Sequence, residues 1–121
     1  MADRLEELNV GAVLLTPGFA PFDARLKGEY GYQVYDNVLS ALEFERLAAK
    51  NGPTGGRLVI PGTDRPPEHV VFIHCVGSRD KNYNRYCSRV CCMYSLKLAH
   101  LIEEKTHGEV FQFYMDMRSF G

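Results

Sequence analysis

The sequence predicts an α/β fold with a mainly parallel sheet, and three observations carry that prediction. Short, continuous apolar runs occur at residues 9–15 and 69–74, the pattern of strands buried on both faces. Stretches with apolar side chains at steps of three and four cover residues 37–50 and 86–106, which is helical spacing. The second of these stretches lies between run 69–74 and a last apolar run at 109–117. Strand, crossover helix and strand in that order make a βαβ unit, whose two strands run parallel.

The elements follow in order. Residues 9–15 read as a buried strand, ended by Thr16, Pro17, Gly18 and Phe19, because Pro and Gly disfavour a central strand. Residues 21–36 form a long loop carrying Phe22, Tyr30, Tyr32 and Tyr35. Such aromatics fold back over a core or stack on a cofactor. The helix at 37–50 takes Asn37 or Ser40 as its cap and buries Leu39, Leu42, Phe44 and Leu47. Residues 51–56, rich in Gly, break it. A short strand at 57–60 precedes a turn at 61–68 that holds three prolines and a glycine. Residues 69–74 are a second buried strand, and residues 76–85 leave it as a polar loop. The long helix at 86–106 carries the stripe Cys87, Val90, Cys91, Tyr94, Leu98, Leu101 and Ile102. His107 and Gly108 end it, with Lys105 near the negative end of its dipole.

Composition narrows the function classes. The chain has 121 residues, enough for one domain. Hydrophobic residues are 45% and charged residues 24%, which excludes wholesale disorder. With 14 Lys and Arg against 15 Asp and Glu, the net charge is -1, and no basic footprint for nucleic acid exists. No apolar run reaches the roughly 20 residues of a membrane helix. The charged first residues lack a signal-peptide core, so a reducing cytoplasmic setting is expected.

The four cysteines are Cys75, Cys87, Cys91 and Cys92, all within 18 residues, with spacing C-x11-C-x3-C-C. Clustered thiols in a reduced compartment point to metal or redox chemistry. Cys75 stands where a strand ends. The other three stand in the expected first turns of the next helix, where α/β sheets gather ligands and the helix dipole favours thiolate. Cys87 and Cys91 share a helix face, and Cys92 is turned about 100° from Cys91. That spread suits an iron–sulfur cluster better than one tetrahedral zinc. Structural zinc and inert core thiols remain as alternatives. His74 adjoins Cys75, but strand alternation points it to the other face. A dinucleotide-type glycine turn is poorly matched, since Gly77 stands alone there. Arg79 reads as a solvated loop charge or a phosphate contact.

Two segments carry a resemblance: residues 70–80, VVFIHCVGSRD, and residues 86–94, YCSRVCCMY. Together with GAVLLTPGF at 11–19, EYGY at 29–32, LEFER at 42–46, GPTGG at 52–56 and FYMDMR at 113–118, they resemble the heterodisulfide reductase A-subunit family. The resemblance covers nearly the whole chain. It implies a Rossmann-like, three-layer fragment of a thioredoxin-reductase-like flavin domain. Residues 1–20 then form the edge of the flavin-binding part, and residues 21–121 a nucleotide-binding-like part with the cysteines. The family lends Cys75, Cys87, Cys91 and Cys92 the role of holding a [4Fe-4S] cluster near FAD. Residues 13–19 resemble the family's Ala-Thr-Gly segment that closes the flavin site. Thr16 and Pro17 stand here in place of Ala and Thr. A backbone contact at Gly18 can survive that change; a hydroxyl contact at Pro17 cannot.

The sequence reading is therefore an electron-relaying piece of an iron–sulfur flavoprotein oxidoreductase. Its partners are the other subunits of a heterodisulfide-reductase-like complex and hydrogenase- or ferredoxin-type carriers. By itself the piece is expected to be inactive. Its uncovered strand at 10–15 is expected to make it self-associate. The alternative is a non-catalytic module with zinc or free thiols.

Overall fold

The computed structural model describes residues 3–119. Its elements are two 3-10 turns at Ala24–Leu26 and Gly28–Tyr30, helix α1 (Ala41–Ala48), strand β1 (His69–Ile73), helix α2 (Cys91–Thr106) and strand β2 (Glu109–Phe113). β1 and β2 pair in parallel, from His69 opposite Glu109 to Ile73 opposite Phe113. α2 is the crossover between them. This is the expected α/β class with a strand, cysteine loop, long helix and strand, the form of a Rossmann-like fragment.

α1 is set by its start. The Ser40 hydroxyl accepts from the Glu43 N–H at 3.4 Å, and the Glu43 carboxylate accepts from the Ser40 N–H at 2.7 Å. This reciprocal pair satisfies two amides that a helix end leaves open. The helix is shorter than the expected 37–50: Ser40 caps it and Asn37 does not. The Tyr32 hydroxyl adds a bond to Glu43 at 3.1 Å. One face of α1 lays Phe44 edge-on against Phe72 of β1, 6.5 Å between ring centres.

α2 supplies most of the core. Cys92, Leu98, Ala99 and Ile102 are buried on it, and Leu58 joins them from the segment before β1. The helix closes at His107, whose left-handed backbone returns its N–H to the Glu103 carbonyl. Lys105 does more than sit at a dipole end. Its ammonium donates to the Ala48 carbonyl at 3.1 Å and the Gly56 carbonyl at 2.8 Å, joining α2 to the end of α1.

Several sequence expectations need correction. Residues 9–15 form no strand: residues 3–20 are exposed throughout, and no strand among the described residues pairs with them. A strand exists only where another strand takes its N–H and C=O groups, and here none does. Residues 57–60 form no strand either. The Ile60 N–H turns back to the Arg65 carbonyl, and the Ile60 carbonyl accepts from Thr63, closing a local turn instead of a ladder. β1 and β2 are not buried on both faces. Their side chains alternate, with Val71, Ile73, Phe111 and Phe113 exposed on one face. β2 ends at Phe113, not at 117. α2 begins at Cys91, five residues later than expected, so Cys87 lies in the loop before it.

The surface is large for the mass. The described chain exposes 9773 Å², where a compact monomer of 13.7 kDa exposes about 6,600 Å². Residues 3–20 and the outer face of the two strands are among the exposed parts.

Candidate metal centre

The cysteine loop begins where β1 stops. Cys75 takes a left-handed backbone, φ 58°, which a residue with a Cβ rarely adopts. That turn ends strand alternation and starts a tight return: the Ser78 N–H bonds the Cys75 carbonyl at 3.0 Å. Gly77 sits inside it at φ 74°, and the Phe22 ring occupies the place a Cβ would take. Only glycine fits there. Asn84 then closes the loop, giving its N–H and its side-chain amide to the Gly77 carbonyl at 3.2 and 3.0 Å. The Arg79 N–H reaches the Tyr86 carbonyl at 3.0 Å.

Residues 22–30 brace this loop from outside. Phe22 meets Tyr83 edge-on at 5.0 Å. The Tyr83 hydroxyl donates to the Leu26 carbonyl at 2.8 Å. Lys27 pairs with Asp80 at 2.6 Å and lies 5.3 Å above the Tyr83 ring. Of the loop aromatics in 21–36, Phe22 thus packs on the protein itself. Nothing in the residue pattern marks Phe22, Lys27, Tyr83 and Asp80 as one cluster. The brace is long-range, and periodicity sees only local order.

No disulfide joins the four cysteines: Cys92 is buried, and Cys75, Cys87 and Cys91 are half-buried. Cys91 and Cys92 are the first two residues of α2, whose cap residue Val90 offers no side-chain bond to the opening amides. Those amides face an anion well. Arg89, at φ 66°, bends the chain before the helix, and its N–H donates to the Cys87 sulfur at 3.4 Å. The Arg118 N–H donates to the Cys92 sulfur at 3.3 Å. The Ser88 hydroxyl donates to the Cys91 sulfur at 3.5 Å.

Cys75 and Cys91 are close enough to tune each other. Burial pushes the Cys75 thiol up, and negative charge on Cys91 and Cys92 adds to that, against a hydrogen bond and positive charge from Arg79. Burial also pushes Cys91 up, but bonds from Ser88, from the Cys75 amide and thiol and from its own amide outweigh it, leaving Cys91 below the usual thiol range. The structure thus joins Cys75, Cys91 and Cys92, with Cys87 in the adjoining loop. Among the described residues, no three His, Cys, Asp or Glu side chains converge closely enough to hold a single ion. Four cysteines at one loop and helix start, with backbone amides bonded to two of the sulfurs, are a donor set of the kind an iron–sulfur cluster takes.

Other expected positions fall elsewhere. Pro17 and Gly18 lie in the exposed arm, Gly18 at φ 77° with open space where a Cβ would stand. His74 is buried, and its Nε2 lies 2.9 Å from the Gln112 amide oxygen. Arg79 is an ion-pair partner of Asp116, not a free loop charge. No helix among the described residues is long and apolar enough to cross a membrane.

No protein-family model matches the chain. Comparison with individual proteins is informative. The chain is 51% identical over 117 residues to the iron-sulfur A-subunit of CoB–CoM heterodisulfide reductase from Methanocaldococcus jannaschii, covering 95% of this chain and 18% of that protein. It is 49% identical over 120 residues to a second such A-subunit, from Methanopyrus kandleri, covering 98% of this chain and 18% of the relative. It is 45% identical over 117 residues to the A-subunit of ferredoxin:CoB-CoM heterodisulfide reductase from Methanosarcina mazei, covering 95% and 15%. The chain therefore spans less than a fifth of the length of these relatives. Over nearly its whole length, it is homologous to one segment of the heterodisulfide reductase A-subunit.

Proposed function

We propose that this chain is the cysteine-bearing segment of an electron-transferring oxidoreductase, and that Cys75, Cys87, Cys91 and Cys92 hold a [4Fe-4S] cluster. One observation carries the proposal. Cys75 follows the end of β1, Cys87 lies in the loop and Cys91 and Cys92 open the uncapped α2, with backbone amides of Arg89 and Arg118 bonded to the Cys87 and Cys92 sulfurs. When bound, the cluster supplies a one-electron store. The chain's own residues do the rest. Left-handed turns at Cys75 and Arg89 fix where the thiolates stand. Amides aimed at sulfur set how readily the site accepts negative charge. The brace of Phe22, Lys27 and Tyr83 keeps the loop from reshaping.

In this reading the chain is an internal piece of a longer flavoprotein. Its residues 1–20 edge an FAD site that Pro17 and Gly18 touch, and residues 21–121 carry the cluster. The exposed arm and the exposed outer strand face support packing against the rest of that longer chain. Other subunits of a heterodisulfide-reductase-like complex exchange electrons with it in the cytoplasm, through hydrogenase- or ferredoxin-type carriers.

The test is iron and acid-labile sulfide analysis of the full-length protein purified without oxygen. Wild-type protein is expected to be brown and to contain about four irons per cysteine set. Cys75→Ala, Cys87→Ala, Cys91→Ala and Cys92→Ala are each expected to lose most of that iron while remaining folded. Iron at wild-type level in all four folded variants, or a colourless zinc-containing protein, overturns the proposal.

A further inference from the structure

The outer face of α2 and the loop before it carry one sign of charge. From Lys81 to Ile102 the chain holds no Asp or Glu, although 15 of its 121 residues are acidic. Lys81, Arg85, Arg89 and Lys97 are all exposed there. Asp80, which precedes the run, is already paired with Lys27 at 2.6 Å. Among the described residues, Arg85 and Lys97 make no ion pair. Apolar side chains stand between these charges. α2 buries Cys92, Leu98, Ala99 and Ile102 on one face. At about 100° per residue, Val90, Met93 and Lys97 fall on the opposite one. All three are exposed, Val90 at 64% and Met93 at 48%, and Tyr86 in the loop is 68% exposed.

One exposed apolar residue needs no explanation. A run of apolar and positive side chains without a single carboxylate does. Like charges repel, so on the chain alone these residues gain nothing by standing together. Elsewhere positive side chains hold carboxylates: Arg25 holds Asp23, Arg57 holds Asp64 and Arg79 holds Asp116. Tyr, Met and Arg are the side chains that protein interfaces concentrate, with charge at the rim. Nucleic acid asks for a basic domain, and this chain has a net charge of -1. The mixture of lone positive charge and exposed apolar surface therefore fits a protein with the opposite charge.

Resting on the reading of this chain as part of a multi-subunit oxidoreductase, though not on what its cysteines hold, we propose that the outer face of α2 and loop 81–90 dock an acidic protein subunit. That partner presents Asp and Glu around an apolar centre. Its carboxylates meet Lys81, Arg85 and Lys97, and its apolar side chains cover Tyr86, Val90 and Met93. The charges govern register and the rate of encounter. The apolar centre supplies most of the affinity. Association weakens as salt rises, because the charged rim stays wet and is screened.

The experiment uses the full-length protein purified with the subunits that accompany it. A water-soluble carbodiimide joins lysine amines to carboxylates in contact with them, and mass mapping finds the pairs. Lys81 and Lys97 are expected to be joined to Asp or Glu of a different subunit. Arg85→Glu combined with Lys97→Glu is expected to weaken the complex about tenfold or more in sedimentation at low salt, and less at high salt. Arg65→Glu, exposed in the turn before β1, is expected to leave it unchanged. No link at either lysine, or links only within the same chain or to a second copy of it, overturn the proposal. So does an unchanged dissociation constant in the double variant, or an equal loss in Arg65→Glu. A double variant that keeps its subunits but loses binding to phosphatidylglycerol vesicles assigns the surface to lipid and overturns it too. Protein that purifies without any other subunit overturns the multi-subunit reading and the docking surface with it. Protein without iron whose lysines are linked as expected overturns the cluster reading alone and supports this one.

Discussion

Residues 3–20 and residues 75–92 differ first in what their glycines touch. Gly18 and Gly77 have nearly the same backbone, φ 77° and 74°, yet open space surrounds one and the Phe22 ring fills the space beside the other. Both segments border an apolar run that resembles a strand. Run 69–74 found a partner in residues 109–113 and became β1, and the loop after it inherited a fixed starting point. Run 9–15 found none, and the arm stayed exposed, Leu14 at 86% and Val13 at 75%. Apolar sequence is permission to form a strand; a neighbour is what makes one.

Paired substitutions in the two regions sharpen this contrast. The largest effect is expected for Gly77→Ala. Left-handed backbone costs about 1–3 kcal/mol for a residue with a side chain, and forcing a Cβ against Phe22 adds about 1–3 kcal/mol of overpacking. Gly18→Ala meets no atom, and the exposed arm can relax. Urea unfolding of the two variants should separate them clearly. Equal midpoints would show that the brace does not hold the loop.

Next comes the core. Ile102 is fully buried, and Ile102→Ala should cost about 2–5 kcal/mol in the same assay. Leu14→Ala in the arm should stay within about 0.5 kcal/mol. A large loss at Leu14 would mean that the arm packs in solution.

A smaller effect belongs to the joint between the helices. Lys105→Met removes the two carbonyl contacts to Ala48 and Gly56 and should cost about 1–2 kcal/mol, reduced by the exposure of one of them. Thermal unfolding is the readout, and an unchanged midpoint would leave α1 and α2 joined by apolar packing alone.

The smallest effect concerns the cap of α1. Ser40→Ala should cost about 1 kcal/mol. Burial pushes the Glu43 carboxyl up, but the Ser40 amide, Ser40 hydroxyl and Tyr32 hydroxyl outweigh it and hold the group below its usual range. The stabilisation is therefore complete above the unfolded value of about 4.3 and fades as pH falls through the lower folded value. Glu43→Gln should flatten that acid limb of a stability–pH curve. An unchanged limb would show that the cap carries no charge dependence.

The fold class was legible because periodicity and the order of runs are local, and so were α1, β1, α2 and β2 in outline. Their ends were not. The start of α2 moved from Tyr86 to Cys91 because Arg89 turns left-handed, and no side-chain pattern announces that. The cysteines were legible as a cluster from spacing, while their assignment as ligands leaned on resemblance. Arg79 and Asp116 were illegible as a pair because 37 positions separate them. Charge at each position was visible, but not the fold that joins them.

The Tyr83 hydroxyl and the Leu26 carbonyl lie 57 positions apart in the chain. That separation gives the cysteine loop a place in time as well as in space. Distant contacts pay loop-closure entropy before they stabilise anything, so they form late. During synthesis, however, the earlier partner emerges first. Residues 22–30 are already outside the ribosome when Gly77 and Tyr83 appear, and the loop can be moulded as soon as α2 follows. Moving residues 22–30 to the end of the polypeptide by circular permutation would reverse that order. The four thiols would then stand unbraced through most of synthesis.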